Sequence, residues 1–509
     1  MNTKQLKAKV LDLAIHGKLL SPETVAELKK SPDYETADVL LEKIRKEKEE
    51  KIAKGELKRD KKDSYIFVGD DKRHYEKFAD GTVKDIEDEI PFDIPEGWAW
   101  ARIASLVSIN LGLTHTPKYV EKGIPFYSVK DISNGYLDES EPKYVSQEEF
   151  NTFLEGAKPR KGDIIFCRVG TIGKPHIVSV DYPFGIFVSV GFFRKYSERI
   201  NSKYIMDWMN SPFFYEQVDY NVKGGVIKNL NTGWLSEFLI PIPSEKEQQE
   251  IAFRIDEIFS KIALLEENKT ELQKTVTYAK AKILDLAIHG KLVPQDSNDE
   301  PASVLLEKLR AEKEEKIAKG ELKRDKKDSF IYKGSDNCYY EKFTDGTIET
   351  IEIPFELPET WCWCLFGEIA TVINGKNQSK VANSKGQYPI YGSGGVMGRA
   401  DDYICPENCT IIGRKGSINN PIFVTEKFWN VDTAFGLCTN NLVLPKYLFY
   451  FCKTFDFTTI DSSTTLPSLT KTNIQHILFP LPPLETQKRI IEKIELLFIE
   501  LDKIILNLL

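Results

Sequence analysis

Glu47–Ser64 reads EKEEKIAKGELKRDKKDS, and Glu312–Ser329 repeats it letter for letter. Working outward, LDLAIHGKL at Leu11–Leu19 returns at Leu284–Leu292, and YEKF at Tyr75–Phe78 returns at Tyr340–Phe343. The stretches that follow each copy have drifted far apart. The chain is therefore an internal duplication in which one part is held nearly constant and the other varies.

The longest helical pattern lies at 245–289. Its apolar positions are Ile251, Ile255, Ile258, Ile262, Leu265, Leu272, Val276, Ala279, Ile283 and Leu286, with only Lys269 interrupting. Steps of four and three sustained this long predict a helix with a coiled-coil-like seam. At ~1.5 Å per residue it would run roughly 65–70 Å. Pro241, Pro243 and Ser244 suit its start, and Gly290 suits a left-handed C-terminal cap. Both ends of the chain repeat this helix in pieces. Ile490, Ile494, Leu497, Leu501 and Ile504 take the phases of Ile251 to Leu265, while Leu6, Val10 and Leu13 take those of Ala279, Ile283 and Leu286. In that register Leu509 corresponds to Thr270 and Met1 to Lys274. Burying all three apolar stripes requires both fragments to pack antiparallel on the central helix, with pseudo-twofold symmetry.

Two variable regions, 91–243 and 354–482, open on IPFDIPEGWAW and IPFELPETWCW and close on Pro241/Pro243 and Pro480/Pro482. Short β-like runs at Asp163–Val169, Ile177–Val180 and Thr410–Arg414, with helices near Lys203–Val218 and Lys446–Phe455, predict small mixed domains of one fold. The expected class is α+β: two such domains separated by long antiparallel helices, related as a circularly permuted repeat. The segments are an N-terminal helix (1–20), a charged helical connector (21–90), the first variable domain, the central helix (244–290), a second connector (291–353), the second variable domain and a C-terminal helix (483–509). Leu40–Ala53 and Leu305–Ala318 read as helices with Glu/Lys pairs. The runs Lys58–Lys62 and Lys323–Lys327 read as solvated linkers rather than phosphate-contacting arms.

Net charge is −8 over 509 residues. The acid excess sits largely in helices and connectors, so it does not veto a local basic face for phosphates. No run of about 18 apolar residues is present, and Lys and Asp interrupt the N-terminal apolar pattern. No membrane partner is expected, and the expected compartment is the cytoplasm. The eight cysteines, seven of them in the second half, are expected as reduced structural thiols. Cys362-Trp-Cys364 and Cys405-x3-Cys409 lack standard zinc spacing, so no metal is assigned.

No catalytic residue is assigned. GxxxxGK[ST], HExxH and GxSxG are absent, and the histidines are scattered, with His16 and His289 repeating inside LDLAIHGKL as packing or partner-contact residues. Asn210-Ser-Pro-Phe-Phe214 reads as a helix end rather than a methyltransferase loop.

In motif order and duplication the chain resembles the DNA-specificity subunits of type I restriction-modification systems. The motifs are LDLAIHGKLVPQDSNDEPAS at 284–303, IPEGW at 94–98, GDIIFCRVGTIGKPHIV at 162–178, IIGRKGSINNPIFV at 411–424 and FPLPPLETQKRI at 479–490. The resemblance implies that each variable domain reads one half of an asymmetric bipartite site in double-stranded DNA. It also implies that the helices set the spacing and bind two modification subunits, with restriction and motor subunits joining them. S-adenosylmethionine, ATP and magnesium would then sit on those partners, with no cofactor on this chain. The competing readings are a self-contained DNA methyltransferase or nuclease, and a coiled-coil adaptor that binds only proteins.

Base reading needs hydrogen-bonding or cationic side chains on exposed loops. In the first domain the candidates are Thr114, His115, Thr116, Lys118, Lys130, Arg168, Thr171, Lys174, Lys223, Lys228 and Asn229. In the second they are Lys376, Gln378, Ser379, Lys380, Tyr391, Ser393, Arg399, Arg414, Lys415, Asn419, Lys471 and Thr472. Arg168-Val-Gly170 and Arg414-Lys-Gly416 occupy equivalent places, which suggests a shared phosphate-positioning or turn role.

Overall fold

A computed structural model describes residues 2–60, 63–221, 229–320, 329–461 and 468–507. The chain divides into two compact units, Met1–Glu267 and Asn268–Leu509. Helix α1 (Thr3–Ile15), α2 (Ala37–Ala53) and the first half of α3 (Glu245–Ile288) belong to unit 1; the rest of α3, α4 (Ala302–Ala318) and α5 (Leu484–Leu506) belong to unit 2. At the start of α3, Ser244 Oγ accepts from the Glu247 amide at 3.2 Å and donates to the Glu247 carboxylate at 2.7 Å. This reciprocal cap satisfies amides that the first turn leaves unpaired.

The ends of α1 and α3 are alike. Lys18 N–H donates to Leu13 O at 2.7 Å and Lys291 N–H to Leu286 O at 2.8 Å, closing over Gly17 and Gly290 at φ of +65° and +67°. This is the left-handed termination that favours glycine. In unit 1, Lys7 pairs with Glu266 at 3.4 Å and lies 6.0 Å from the Phe259 ring centroid. In unit 2, Lys280 pairs with Asp502 at 2.6 Å and lies 5.0 Å from Phe498. In the register that aligns Leu6 with Ala279 and Ile258 with Leu497, Lys7 matches Lys280 and Phe259 matches Phe498, so each unit repeats the lysine–aromatic contact, while the acidic partners differ because Glu266 matches Ile505 and Asp502 matches Ala263.

The buried face departs from the expected seam in detail. Ile251, Ile255, Ile262, Val276, Ile490 and Ile494 are buried; Ile258, Leu272, Ile283, Leu286, Leu497 and Leu501 are half-buried. Leu265 and Ile504, equivalent in that register, are 62% and 45% exposed and do not join a buried seam. A straight helix drifts from a seven-residue repeat by ~20° per heptad, so a seam extended over five heptads leaves one face. On α1 the buried face is Val10, Leu11, Ala14 and Ile15, with Leu6 and Leu13 half-buried. That face joins the same core as Tyr204, Trp208 and Phe213 of the first variable domain.

The connectors are not helical throughout. Each continues from its helix into a three-stranded antiparallel meander: Ser64–Val68, His74–Phe78 and Val83–Asp85 in unit 1, and Ser329–Lys333, Tyr339–Phe343 and Ile348–Ile351 in unit 2. Asp80-Gly81 and Asp345-Gly346 form the second turn of each, with Gly81 at φ +90° and Gly346 at +88°. Asp-Gly between strand-like runs is a strong hairpin signal that the Glu/Lys-rich flanks obscure. In the run read as a solvated linker Lys58, Arg59 and Asp60 are exposed, whereas the helix before it is tied to its surroundings. Lys48 is buried in an ion pair with Asp63 at 2.6 Å, and Lys51 donates to the Tyr196 carbonyl at 2.6 Å. Lys61, Lys62 and Lys323–Lys327 lie outside the described residues.

Each variable domain starts and ends on one two-stranded ribbon. Ala99–Arg102 pairs antiparallel with Leu239–Ile242, with Trp100 opposite Pro241. Cys362–Leu365 pairs with Leu478–Leu481, with Trp363 opposite Pro480. Tyr204 Oη donates to Pro241 O at 2.7 Å, and Tyr447 Oη to Pro480 O at 3.2 Å.

In the first domain, strands β1 (Val107–Leu111), β2 (Tyr119–Val120), β3 (Ile124–Tyr127), β4 (Lys143–Val145), β5 (Ile164–Cys167), β6 (Gly173–Ile177), β7 (Gly185–Ile186) and β8 (Val190–Lys195) form two sheets. Their orders are β6-β5-β8-β1 and β7-β3-β4-β2, with β7 parallel to β3. In the second domain, β9 (Ala370–Asn374), β10 (Tyr388–Gly392), β11 (Gly395–Ala400), β12 (Cys409–Gly413), β13 (Ile422–Val424), β14 (Trp429–Asn430) and β15 (Ala434–Thr439) give orders β13-β12-β15-β9 and β11-β10-β14. Here β14 runs parallel to β10. The sheets β6-β5-β8-β1 and β13-β12-β15-β9 thus share one topology across two sequences, while the second sheet has four strands in the first domain and three in the second.

Three further expectations change. The strand read at Ile177–Val180 lies earlier, as β6, although Val178 still donates to Asp163 O at 2.8 Å. The helix read near Lys203–Val218 is two, Ser202–Asn210 and Pro212–Asn221. It breaks at Ser211 because Pro212 lacks the amide that would continue it. Cys409 and Cys438 form a disulfide, with Cα atoms 4.7 Å apart. They flank the Thr410–Leu437 pair on neighbouring strands, a register the spacing in sequence does not reveal.

Candidate nucleic-acid interface

The candidate loops of the first domain converge on one short segment, Phe187–Ser189, between β7 and β8. Gly112 N–H donates to Val190 O at 3.2 Å, Leu113 N–H to Ile186 O at 2.8 Å, and Val188 N–H to Leu113 O at 2.9 Å. These bonds fix the root of the loop bearing Thr114, His115, Thr116 and Lys118, all of them exposed. Phe187 N–H donates to Tyr127 O at 2.9 Å and Val129 N–H to Ser189 Oγ at 3.3 Å, which roots the loop bearing exposed Lys130. Arg168 N–H donates to Ser189 O at 2.9 Å, and Leu230 N–H donates to Arg168 O at 2.9 Å. Exposed Thr171 and Lys174 follow Arg168, and exposed Asn229 precedes Leu230 in a bridge to Val169.

The second domain repeats this frame around Val431–Thr433. Gly375 N–H donates to Ala434 O at 3.2 Å, Lys376 N–H to Asn430 O at 3.0 Å, and Val431 N–H to Tyr391 O at 2.9 Å. Arg414 N–H donates to Thr433 O at 2.8 Å, and Leu469 N–H to Arg414 O at 2.9 Å. The loops bearing Lys376, Gln378, Ser379 and Lys380, then Tyr391 and Ser393, then Arg414 and Lys415, and finally Lys471 and Thr472, share this root. Lys376, Ser379, Lys380, Lys415, Lys471 and Thr472 are exposed, while Gln378, Tyr391 and Ser393 are half-buried. Gly112 and Gly375 are required where the chains cross. A Cβ on Gly112 would lie 2.3 Å from Ile186 O, and one on Gly375 1.8 Å from Val431 O.

Several candidates serve the frame instead. Arg168 donates from Nε to Leu230 O at 2.9 Å and from Nη1 to Val188 O at 3.1 Å, and burial pushes its guanidinium below the usual range. It clamps two loops together, which is the turn role and leaves less of it for DNA. Arg414 lies against Phe435, 5.7 Å from the ring centroid, with Nε buried. Arg399 donates to the Gly386 carbonyl at 2.6 Å and also to Gln387 O, so it staples a neighbouring loop away from the shared root. Asn419 donates to Asp456 at 2.7 Å and accepts from Phe457 N–H at 2.8 Å, pinning its own loop. Lys223 and Lys228 lie outside the described residues. Missed from sequence were Phe187–Ser189 and Val431–Thr433 themselves, because their role rests on a parallel strand pairing.

Among the described residues, no group of three or more His, Cys, Asp or Glu side chains is placed to hold a metal ion. No helix of the described residues is long and apolar enough to cross a membrane. Asn210-Ser-Pro-Phe-Phe214 is the junction between two helices, with Ser211 Oγ donating to Trp208 O at 2.7 Å.

Residues 95–274 and 358–509 match the family described as "Type I restriction modification DNA specificity domain". The chain is 24% identical to the type I restriction enzyme EcoAI specificity subunit of Escherichia coli, covering 97% of this chain and 88% of that one. It is 26% identical to the EcoEI specificity subunit of Escherichia coli over 72% of this chain and 61% of that one. Among solved structures, the HsdS subunit of Thermoanaerobacter tengcongensis aligns with a TM-score of 0.50 at 15% identity, covering 82% of this chain and 92% of that one. A chain from a study of type I R-M complex assembly aligns with a TM-score of 0.53 at 17% identity, covering 82% and 94%. These likenesses support the α+β fold of two such domains with long helices.

Proposed function

This chain belongs to the type I restriction-modification DNA-specificity family, and on that premise we propose that each variable domain reads one half of a bipartite, asymmetric site in double-stranded DNA. It is a specificity subunit, a non-catalytic component that acts with DNA and with other restriction-modification subunits. The observation that carries the finer reading is the repeated loop root. Two domains hold the same backbone frame at Phe187–Ser189 and Val431–Thr433 yet present different side chains from it. A common frame with unlike exposed residues is what two readers of different base sequences require.

The repeated scaffold supports the second part of the proposal. Equivalent helix pairings in both units give two like surfaces, suited to two copies of one modification subunit. A pseudo-twofold arrangement would set the two readers a fixed distance apart and leave the spacer unread. Restriction and motor subunits complete the assembly, and S-adenosylmethionine, ATP and magnesium belong to the partners in this reading.

Methylation profiling of DNA from cells carrying the complete system tests it. One motif with two specific parts, an unread spacer and modified adenine supports the proposal. A continuous motif, or none, would sink it.

A further inference from the structure

The equivalent frames align Phe187 with Val431, Val188 with Asp432 and Ser189 with Thr433. The middle position differs most in chemistry. Val188 is half-buried and its carbonyl accepts from Arg168 Nη1 at 3.1 Å. Asp432 is exposed, and no ion pair or side-chain hydrogen bond among the described residues engages its carboxylate. Its neighbour Thr433 accepts the backbone amides of Arg414 at 2.8 Å and Lys415 at 3.4 Å. An exposed carboxylate therefore stands on the segment that roots the loops bearing exposed Lys376, Lys380, Lys415 and Lys471.

A carboxylate facing a polyanion is repelled by phosphates, so its place in this cluster needs an attractive partner. In the major groove the partner is an exocyclic amine. Cytosine N4 donates to Asp or Glu there, whereas an apolar side chain meets the thymine methyl. A counter-ion for Arg414 is the competing role, but no ion pair forms between Asp432 and Arg414, whose side chain lies against Phe435.

We propose that position 188/432 of the frame is a specificity-determining position. In it, Asp432 accepts a hydrogen bond from the exocyclic amine of one base in the second half-site, and Val188 contacts a base edge through its methyl groups in the first. This rests on the reading that each domain contacts base edges.

The test uses the complete complex with its modification subunits and duplexes carrying every single base-pair change across both half-sites. Asp432→Val should lower discrimination at one base pair of the second half-site by roughly ten- to hundred-fold, leaving the first half-site as in the wild type. Asp432→Asn, a near-isosteric change, should alter preference at that same base pair, because an amide both donates and accepts. Val188→Asp should change one base pair of the first half-site only. Uniform weakening across all duplexes, or unchanged preferences in both Asp432 variants, would overturn the inference while leaving the two-reader proposal standing. A wild-type complex with no bipartite preference would overturn both.

Discussion

His16 stacks on Phe92 with ring centroids 4.0 Å apart, and its Nδ1–H donates to Asp12 O at 2.8 Å. His289 and Phe355 repeat the contact at 3.9 Å, with Nδ1–H donating to Asp285 O at 2.7 Å. Phe92 in turn meets Trp100 edge-on at 5.0 Å, as Phe355 meets Trp363. The imidazole thus joins a helix end to the chain entering each variable domain. Replacing His16 by Ala should lower unit 1 stability by about 1–2 kcal/mol through the lost hydrogen bond and ring contact. Urea unfolding monitored by tryptophan fluorescence reads the change; an unaltered midpoint would remove the structural role.

The glycines one residue further on allow less. A Cβ on Gly17 would lie 2.2 Å from Pro95 Cγ, and one on Gly290 2.5 Å from Pro358 Cγ, both at positive φ. Gly17→Ala and Gly290→Ala should each cost upwards of about 1 kcal/mol for the left-handed backbone, with the clash added. A thermal shift within error for both substitutions would contradict this geometry.

Asp207 supplies a pH dependence. Burial pushes its carboxyl up to about 6 from an ordinary 3.8, while Lys203 at 2.7 Å opposes the shift. The folded state therefore holds the proton more tightly than the unfolded state. This stabilisation is fully present below pH 4 and is lost as pH rises through about 6. Asp207→Asn should flatten the stability profile of unit 1 across that window. Parallel slopes for wild type and variant would show that Asp207 does not set it.

Lys415 and Arg168 should separate phosphate contact from framing. Lys415→Ala removes an exposed cation, so it should weaken binding alike for all sequences and reduce the log-salt slope by about one. Its unfolding midpoint should not move. Arg168→Ala removes donors to Leu230 O and Val188 O, so it should lower stability by about 1–3 kcal/mol as well as weaken binding. A salt slope unchanged in the first variant, or a wild-type midpoint in the second, would reverse that assignment.

The Cys409–Cys438 bridge closes a sequence separation of 29 residues. Reduction, or Cys409→Ser, should destabilise unit 2 by about 2–4 kcal/mol and leave unit 1 unaltered. Thiol titration after unfolding without reductant should find six free cysteines; eight would show the bridge is not formed.

Legibility followed locality. The bounds of α3, Glu245–Ile288, match the apolar periodicity because helix formation depends on neighbours three and four residues away. Gly290 and the Ser244 cap were readable for the same reason. The meanders were not, since Asp80-Gly81 sits among charges that resemble a solvated helix surface. Leu265 fell out of the seam because a seven-residue repeat drifts across the face of a straight helix, a shift that residue types alone do not show. The candidate loops were recognisable by residue type, but their common root was hidden. It depends on β7 beside β3 and β14 beside β10, pairings that no local pattern specifies. The bonds that engage Arg168 and Asn419 were hidden likewise, because their partners Val188, Leu230 and Asp456 lie 20 or more residues away in sequence.

The ribbon at the base of each variable domain bears on inheritance. Because Ala99–Arg102 lies beside Leu239–Ile242, and Cys362–Leu365 beside Leu478–Leu481, each domain leaves the scaffold and rejoins it at adjacent points. A gene segment coding for the intervening residues can then be replaced by recombination without changing the path of the flanking chain. On the function proposed above, new DNA targets would then arise in one step while the helical scaffold passes on unchanged.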